Sequence, residues 1–150
     1  MPDRHGPLRT GRFVVEIDGV EVSGFGRIEL PARYSEAVPD QEGGEPDQYS
    51  NLQGRTEYDD LTMVRGARKG DTTLVDWRRA VEEGRLQEAR KTVAVLLQDE
   101  EGETQVRWEF TAGWPRRYEP PTLETAADGD GGDVATESVV VVYDEMKRTT

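Results

Sequence analysis

The 150-residue chain has no cysteine, a single histidine (His5) and only three lysines, Lys69, Lys91 and Lys147. Without cysteine there is no disulfide, no thiolate metal site and no cysteine nucleophile. With its one histidine in a polar N-terminal stretch, a Ser-His-Asp triad or a multi-histidine metal site would need that stretch or a second chain. Long apolar runs are missing too. None approaches the roughly 20 residues of a membrane helix. The opening MPDRHGPLRTGR lacks the apolar segment of a secretory signal. Folding in the cytoplasm is the expectation. What is abundant is acid: 31 Asp and Glu against 19 Lys and Arg, a net charge of −12. That balance argues against a nucleic-acid surface, where phosphates need clustered cations in excess. Sixteen of the basic residues are arginine. Surplus acid with little lysine suits a protein working in high salt, and a GC-rich genome would also favour arginine.

The hydrophobic fraction of 34% is low, but 150 residues suffice for one domain with a real core. Residues 1–11 form a flexible arm in this reading, and residues 12–147 a single domain. Phe13, Val15 and Ile17 alternate with Val14, Glu16 and Asp18, the spacing of a strand. Asp18-Gly19 marks a type I′ hairpin turn, with Val20 and Val22 on the return. Gly24 and Gly26 around Phe25 suggest a bulge, after which Ile28 and Leu30 resume a strand. VPDQEGGEPDQYSNLQ, residues 38–53, is too long and polar for an ordinary turn. It is either a disordered surface loop or a contact arm. A strand over Glu57–Val64 follows.

LTMVRGARKGDTTLVDWRR, Leu61 to Arg79, has the look of a phosphate loop. A Walker A loop needs Gly, four residues, then Gly-Lys-Ser/Thr. Here Asp71 stands where that lysine would be, and a carboxylate repels phosphate. The stretch is instead a strand-to-helix junction. Gly66 and Gly70 release the chain, and Asp71 or Thr72 caps a helix over about residues 72–83. Leu74, Trp77 and Val81 share one face, Trp77 pins that face to a sheet, and Gly84 stops the helix. Arg90–Gln98 is a β-rich run, Asp99–Gly102 a hairpin turn, and Val106, Trp108 and Phe110 the buried side of the next strand. GWPRRYEPPTLE, with Trp114, is expected to be an exit segment covering the core, and Glu137–Tyr143 a central strand. The tail EMKRTT is expected to fray. Six or seven strands joined mostly by hairpins, with one helix, make an antiparallel β-barrel or sandwich. Leu74, Trp77, Trp108 and Trp114 are its expected anchors.

The one metal-like sequence is DGDGGD. Asp128 and Asp130 fit positions 1 and 3 of a calcium loop, but Gly132 and Asp133 break positions 5 and 6. Asp128, Asp130 and Asp133 are thus weak calcium candidates in a solvated acidic turn. Acidic pairs such as Glu100-Glu101 carry little information in so acidic a chain, and no reaction is legible.

RFVVEIDG, VSGFGRIEL, NLQGRTEYDDLTMVRGARKGDTTLVDWRRAV, AGWPRRYEPP and ESVVVVYDEM, taken in order, resemble the phage-tail tube family, the inner-tube proteins of contractile tails and extracellular contractile injection systems. The similarity spreads from Arg12 to Lys147. Departures are LQG where the family has Leu-Pro-Gly, the acidic excursion and the DGDGGD insertion. The resemblance implies a tail-tube β-barrel and a structural, non-enzymatic protomer without cofactors. It implies hexameric rings stacked into a hollow tube inside a sheath, with baseplate and cap proteins as partners, and cargo protein or DNA in transit. It implies assembly in the cytoplasm, no membrane anchoring, and a place in a virion tail or released particle. The excursion then becomes an arm reaching a neighbour, with Pro39, Gly43, Gly44, Tyr49, Leu52 and Arg55 as contact candidates. A baseplate or tail-end adaptor of the same family, or an acidic calcium- or ligand-binding β-domain, are the alternatives.

Overall fold

The computed structural model describes residues 6–40, 50–125 and 134–150. In chain order the elements are β1 (Phe13–Ile17), β2 (Val20–Val22), β3 (Phe25–Glu29), β4 (Arg33–Asp40), β5 (Ser50–Tyr58), β6 (Leu61–Gly66), α1 (Thr73–Glu82), α2 (Leu86–Ala89), β7 (Lys91–Gln98), β8 (Thr104–Glu119), β9 (Thr136–Val142) and β10 (Glu145–Thr149). Every strand pairing is antiparallel. Among the described residues, no helix is long and apolar enough to cross a membrane.

The main sheet runs β2-β1-β7-β8-β9-β6-β3, with β10 also beside β8. Its two edge strands, β2 and β3, are consecutive in the chain and joined only by Ser23-Gly24. The sheet therefore curls around one core. Val15, Leu61, Met63, Val93, Val95, Phe110, Val139 and Val141 fill it from several strands, and Leu74 and Trp77 close it from α1. The Asp18-Gly19 turn has positive φ at both residues, 52° and 77°, as a type I′ hairpin requires. The Asp18 carboxylate accepts the Thr92 N–H at 2.9 Å and ties this turn to the start of β7. The bulge expected at Gly26 is present, between Phe25 and Arg27 in the β3–β6 pairing.

β8 is the longest strand, 16 residues. Its first part pairs with β7 (Val93 opposite Phe110) and its last part with β9 (Trp114 opposite Val142). β10 continues the line of β9 along β8, with Glu145 opposite Thr111. The changeover falls at Ala112-Gly113. Ala112 has φ 51°, and a Cβ on Gly113 would lie 3.1 Å from Val141 Cγ1 and 3.2 Å from the Lys91 carbonyl oxygen. Glycine thus lets three strands approach closely there, and a side chain would have to push Val141 or the Lys91 backbone aside by a few tenths of an ångström.

Helix α1 lies over β8. Leu74, Trp77 and Ala80 are buried, and Val81 is half-buried at the margin of the face. The Trp77 indole N–H donates to the Ala89 carbonyl at 2.6 Å, fastening α2 beneath it. Gly84, φ 77°, turns the chain out of the helix. The Arg78 guanidinium donates to the carbonyls of Pro115 (3.0 Å) and Arg116 (3.2 Å). It thereby satisfies backbone acceptors where Pro115 and Arg117 flank a bulge.

Several expectations are corrected. GWPRRYE is not an exit segment; it is the second half of β8, because the bulge and the Arg78 contacts accommodate Pro115. The tail does not fray: Glu145–Thr149 pairs with β8. The strand expected over Glu57–Val64 breaks at Asp59-Asp60, where the Asp59 N–H donates to the Ala32 carbonyl at 3.1 Å. The excursion expected over residues 38–53 is, in its described parts, the ends of two paired strands, β4 and β5, with Val38 opposite Leu52. Gly54 allows that pairing: a Cβ there would lie 2.7 Å from Glu36 Cβ. Among the described residues, ten strands and two helices, the second of four residues, thus stand where six or seven strands and one helix are expected.

Trp77→Ala removes a core plug and a buried hydrogen bond together. It is expected to cost about 3–5 kcal/mol, measured by urea unfolding monitored by circular dichroism.

Candidate subunit-contact surfaces and the buried ion network

Two charged side chains among the described residues are buried: Arg65, 2% exposed, and Glu137, 5% exposed. They face each other across β6 and β9. Arg65 Nε donates to Glu137 Oε1 at 2.9 Å. Its two terminal nitrogens form a fork on Asp71, Nη1 to Oδ2 at 3.0 Å and Nη2 to Oδ1 at 2.9 Å. Its third neighbour is the ring of Phe25 on β3, 5.8 Å away. Asp71 Oδ1 also accepts the backbone N–H of Thr73 (3.2 Å) and the Thr73 hydroxyl (2.8 Å). The second Glu137 oxygen accepts the Tyr118 hydroxyl at 2.6 Å. The aspartate that excludes a phosphate loop is therefore the link between the helix start and a buried arginine. Thr72, the residue at the N-cap, makes no side-chain cap bond; its hydroxyl donates to Asp76 instead.

The electrostatics follow from this geometry. The Arg65 fork, with help from Thr73, holds the Asp71 carboxyl down at about 2. Burial first, and then the hydrogen bond to the Glu137 anion, push the Tyr118 phenol up to about 12. Tyr143 is also raised to about 12, by burial and then by the nearby Asp60 carboxylate. Its hydroxyl donates to the Asp59 carbonyl at 2.8 Å.

The surface carries the features of contact. On the β4–β5 hairpin Tyr34 (47% exposed), Val38 (45%) and Leu52 (52%) share one face by register. The hairpin forms its own two-stranded sheet, and an isolated hairpin is marginal in water without further packing. Of the contact candidates, Pro39, Leu52 and Arg55 are on this hairpin and exposed. Gly43, Gly44 and Tyr49 lie outside the described residues. Tyr34 and Val38 escaped the sequence reasoning, although the Tyr34–Glu36–Val38 alternation was visible. The anchors Leu74 and Trp77 are buried, while Trp108 and Trp114 are half-buried against the core.

At the free edge of β2, a cleft of about 560 Å³ separates the β1–β2 hairpin from α1. Val20, Val22, Trp77 and Ala80 line it, with Glu21 and Asp76 at the rim. On the outer face of β1, β7 and β8, Arg107 bridges Glu16 (3.2 Å) and Glu109 (3.4 Å). Beneath this ladder Ala94 and Leu96 are buried. The calcium candidates Asp128, Asp130 and Asp133 lie outside the described residues. Asp99, Glu101 and Glu103 do gather their carboxylates within 4.8 Å. Asp99, however, accepts the N–H groups of Glu101 (2.9 Å) and Glu103 (3.0 Å) and so serves the turn.

Among the described residues, a curled antiparallel sheet with unpaired edges, an outlying hairpin and apolar side chains left in water are features suited to assembly. The sequence profile of the T4-like virus tail tube protein gp19 family matches residues 9–147. The chain belongs to that family and is a structural tube protomer. No curated protein matches it. Solved structures show the same fold. One is a chain of an extracellular contractile injection system, the PVC sheath-tube complex in its extended state, 17% identical. The match covers 97% of this chain and 93% of that one, with a TM-score of 0.81. A chain of the anti-feeding prophage tube-terminating cap is 18% identical over 99% of this chain and 94% of its own, TM-score 0.80. Hcp1 from Flavobacterium johnsoniae is more distant: 12% identity, 91% and 93% coverage, TM-score 0.59.

The contributions of Asp71, Tyr118 and Tyr143 to stability are expected to be complete between about pH 4 and pH 10 and to be lost on either side. Asp71, with its lowered pKa, contributes above its unfolded value of about 4, and that contribution is lost as pH drops toward 2. Its side chain is 33% exposed, so the loss is about 1–2 kcal/mol. Tyr118 and Tyr143, with raised values, contribute below pH 10 and lose it between 10 and 12. Unfolding midpoints across pH check both limbs. Arg65→Ala, which strands a buried Glu137, is expected to cost about 3–5 kcal/mol, against a smaller loss for Tyr118→Phe.

Proposed function

We propose that this protomer closes into hexameric rings, and that the rings stack into a hollow tube enclosed by a contractile sheath. The family match over residues 9–147 carries this reading. The free edges of β2, β3 and β10, and the exposed face of the β4–β5 hairpin, supply surfaces that a lone copy leaves unsatisfied. Residues 12–147 act as one tail-tube domain and residues 1–11 as an arm. The hairpin, with Pro39, Leu52 and Arg55, is the part that reaches a neighbour. Chains of like fold come from a sheath-tube complex, a baseplate and a tube-terminating cap, which supports sheath, baseplate and cap proteins as partners here. The work is mechanical rather than catalytic: the tube is a conduit for protein or DNA when the sheath shortens. Assembly takes place in the cytoplasm, and the product is a virion tail or a released particle.

The likeness to chains of a baseplate and a cap also favours a second reading, an adaptor at the tube end with the same fold. Length of polymer separates the two, since an adaptor stops at one or two rings.

Each copy carries a net charge of −12, so like copies repel. The Debye length shrinks from about 8 Å at 0.15 M salt to about 3 Å at 1 M, and assembly is expected to become more complete over that range. Negative-stain microscopy and sizing chromatography of the purified chain are expected to find rings and tubes at high salt. Particles that stay monomeric at every salt and protein concentration contradict the proposal.

A further inference from the structure

The two ends of β6 carry different surfaces. Leu61 follows the β4–β5 hairpin by two residues, and Gly66 opens the loop that holds Arg68 and Lys69. The register of β3 on β6 sets Phe25 beside Arg65 and Glu29 beside Thr62. β4 therefore also leaves from the Leu61 end. Hairpin and loop sit at opposite ends of a six-residue strand, about 20 Å apart at the usual strand rise. The base of the hairpin is thus remote from the loop within one copy.

Each end offers what the other lacks. The loop carries two cations in a strongly acidic protein. Arg68 and Lys69 are exposed, and neither makes an ion pair among the described residues. The Arg68 guanidinium is held against Gly24, 3.6 Å from where a Cβ would stand. Beside the loop is Val134, 81% exposed, whose neighbour Ala135 accepts the Ala67 N–H at 2.9 Å. The hairpin end presents Tyr34, Val38 and Leu52 around Glu36, an exposed carboxylate with no ion pair among the described residues.

We propose that the Ala67–Gly70 loop, with Val134, receives the β4–β5 hairpin of the next copy along the tube, Glu36 meeting Arg68 and Lys69 while the apolar side chains cover Val134. This rests on the tube reading and names the receiving surface for its arm. A contact between unlike ends of identical copies is heterologous and propagates without closing. Its charges fix polarity and register more than they add affinity.

The cysteine-free chain allows a direct test. Leu52→Cys with Lys69→Cys, joined by a short flexible bismaleimide in assembled material, is expected to give a ladder of covalent products running past six copies. Each single-cysteine variant is expected to yield no ladder. A link formed within one copy leaves a single-chain product, so the ladder reports links between copies alone. In parallel, Arg68→Glu/Lys69→Glu is expected to raise the critical concentration for polymer about ten-fold, and adding Glu36→Arg is expected to restore it. Circular dichroism and melting of the variants, all at exposed positions, are expected to match the parent. Cross-links confined to ring-sized products, or a double variant that polymerises like the parent, overturn the proposal. A parent chain that never polymerises removes the tube reading itself, and this inference with it.

Discussion

A guanidinium cannot be buried unless nearly every donor finds an acceptor, and Arg65 imposes that condition on the whole molecule. Each of its three nitrogens donates, Nε to a glutamate on β9 and the two terminal nitrogens to an aspartate at the mouth of α1, while its face rests near a phenyl ring on β3. Tyr118 adds β8 through the free oxygen of Glu137. One side chain thus couples four strands and a helix. A shift of β6 by one residue against β9 would turn Arg65 and Glu137 away from each other, because strand faces alternate. The paired charges need not make the fold more stable than an apolar core would. What they do is penalise every alternative register and every other seat for α1.

That arrangement explains which parts of the fold were legible in the sequence. Features set by neighbours in the chain could be read directly: the Asp18-Gly19 turn, the bulge at Gly26, the helix with Leu74 and Trp77 inward, and the Asp99 turn. Features set by distant partners could not. Arg65 reads as a surface residue until Glu137, 72 positions away, is placed opposite it. Pro115 reads as the end of a strand. It is tolerated because β7 begins only at Lys91, opposite Gly113, and so does not reach it, and because Arg78 comes from another element to satisfy the local carbonyls. The polar tail reads as frayed, yet its backbone pairs with β8 whatever its side chains.

The candidate contact surface was half legible for the same reason. Composition marked residues 38–53 as outlying, and Pro39, Leu52 and Arg55 do lie on an exposed hairpin. Composition could not reveal that the described ends of this stretch are paired backbone, nor that Tyr34 extends their apolar face, because that face is created by cross-strand register. The family likeness supplied what local physics did not, namely that exposed edges of this kind belong to a tube.

β8 belongs to both halves of the curled sheet, bonded to β7 along one stretch and to β9 along the next. A force drawing the halves apart along this strand must slide it past its partners, so that many backbone bonds resist together instead of parting one by one. Pulling across the strand would meet each bond in turn. A subunit built around such a tie is stiff along β8 and yields more readily across it.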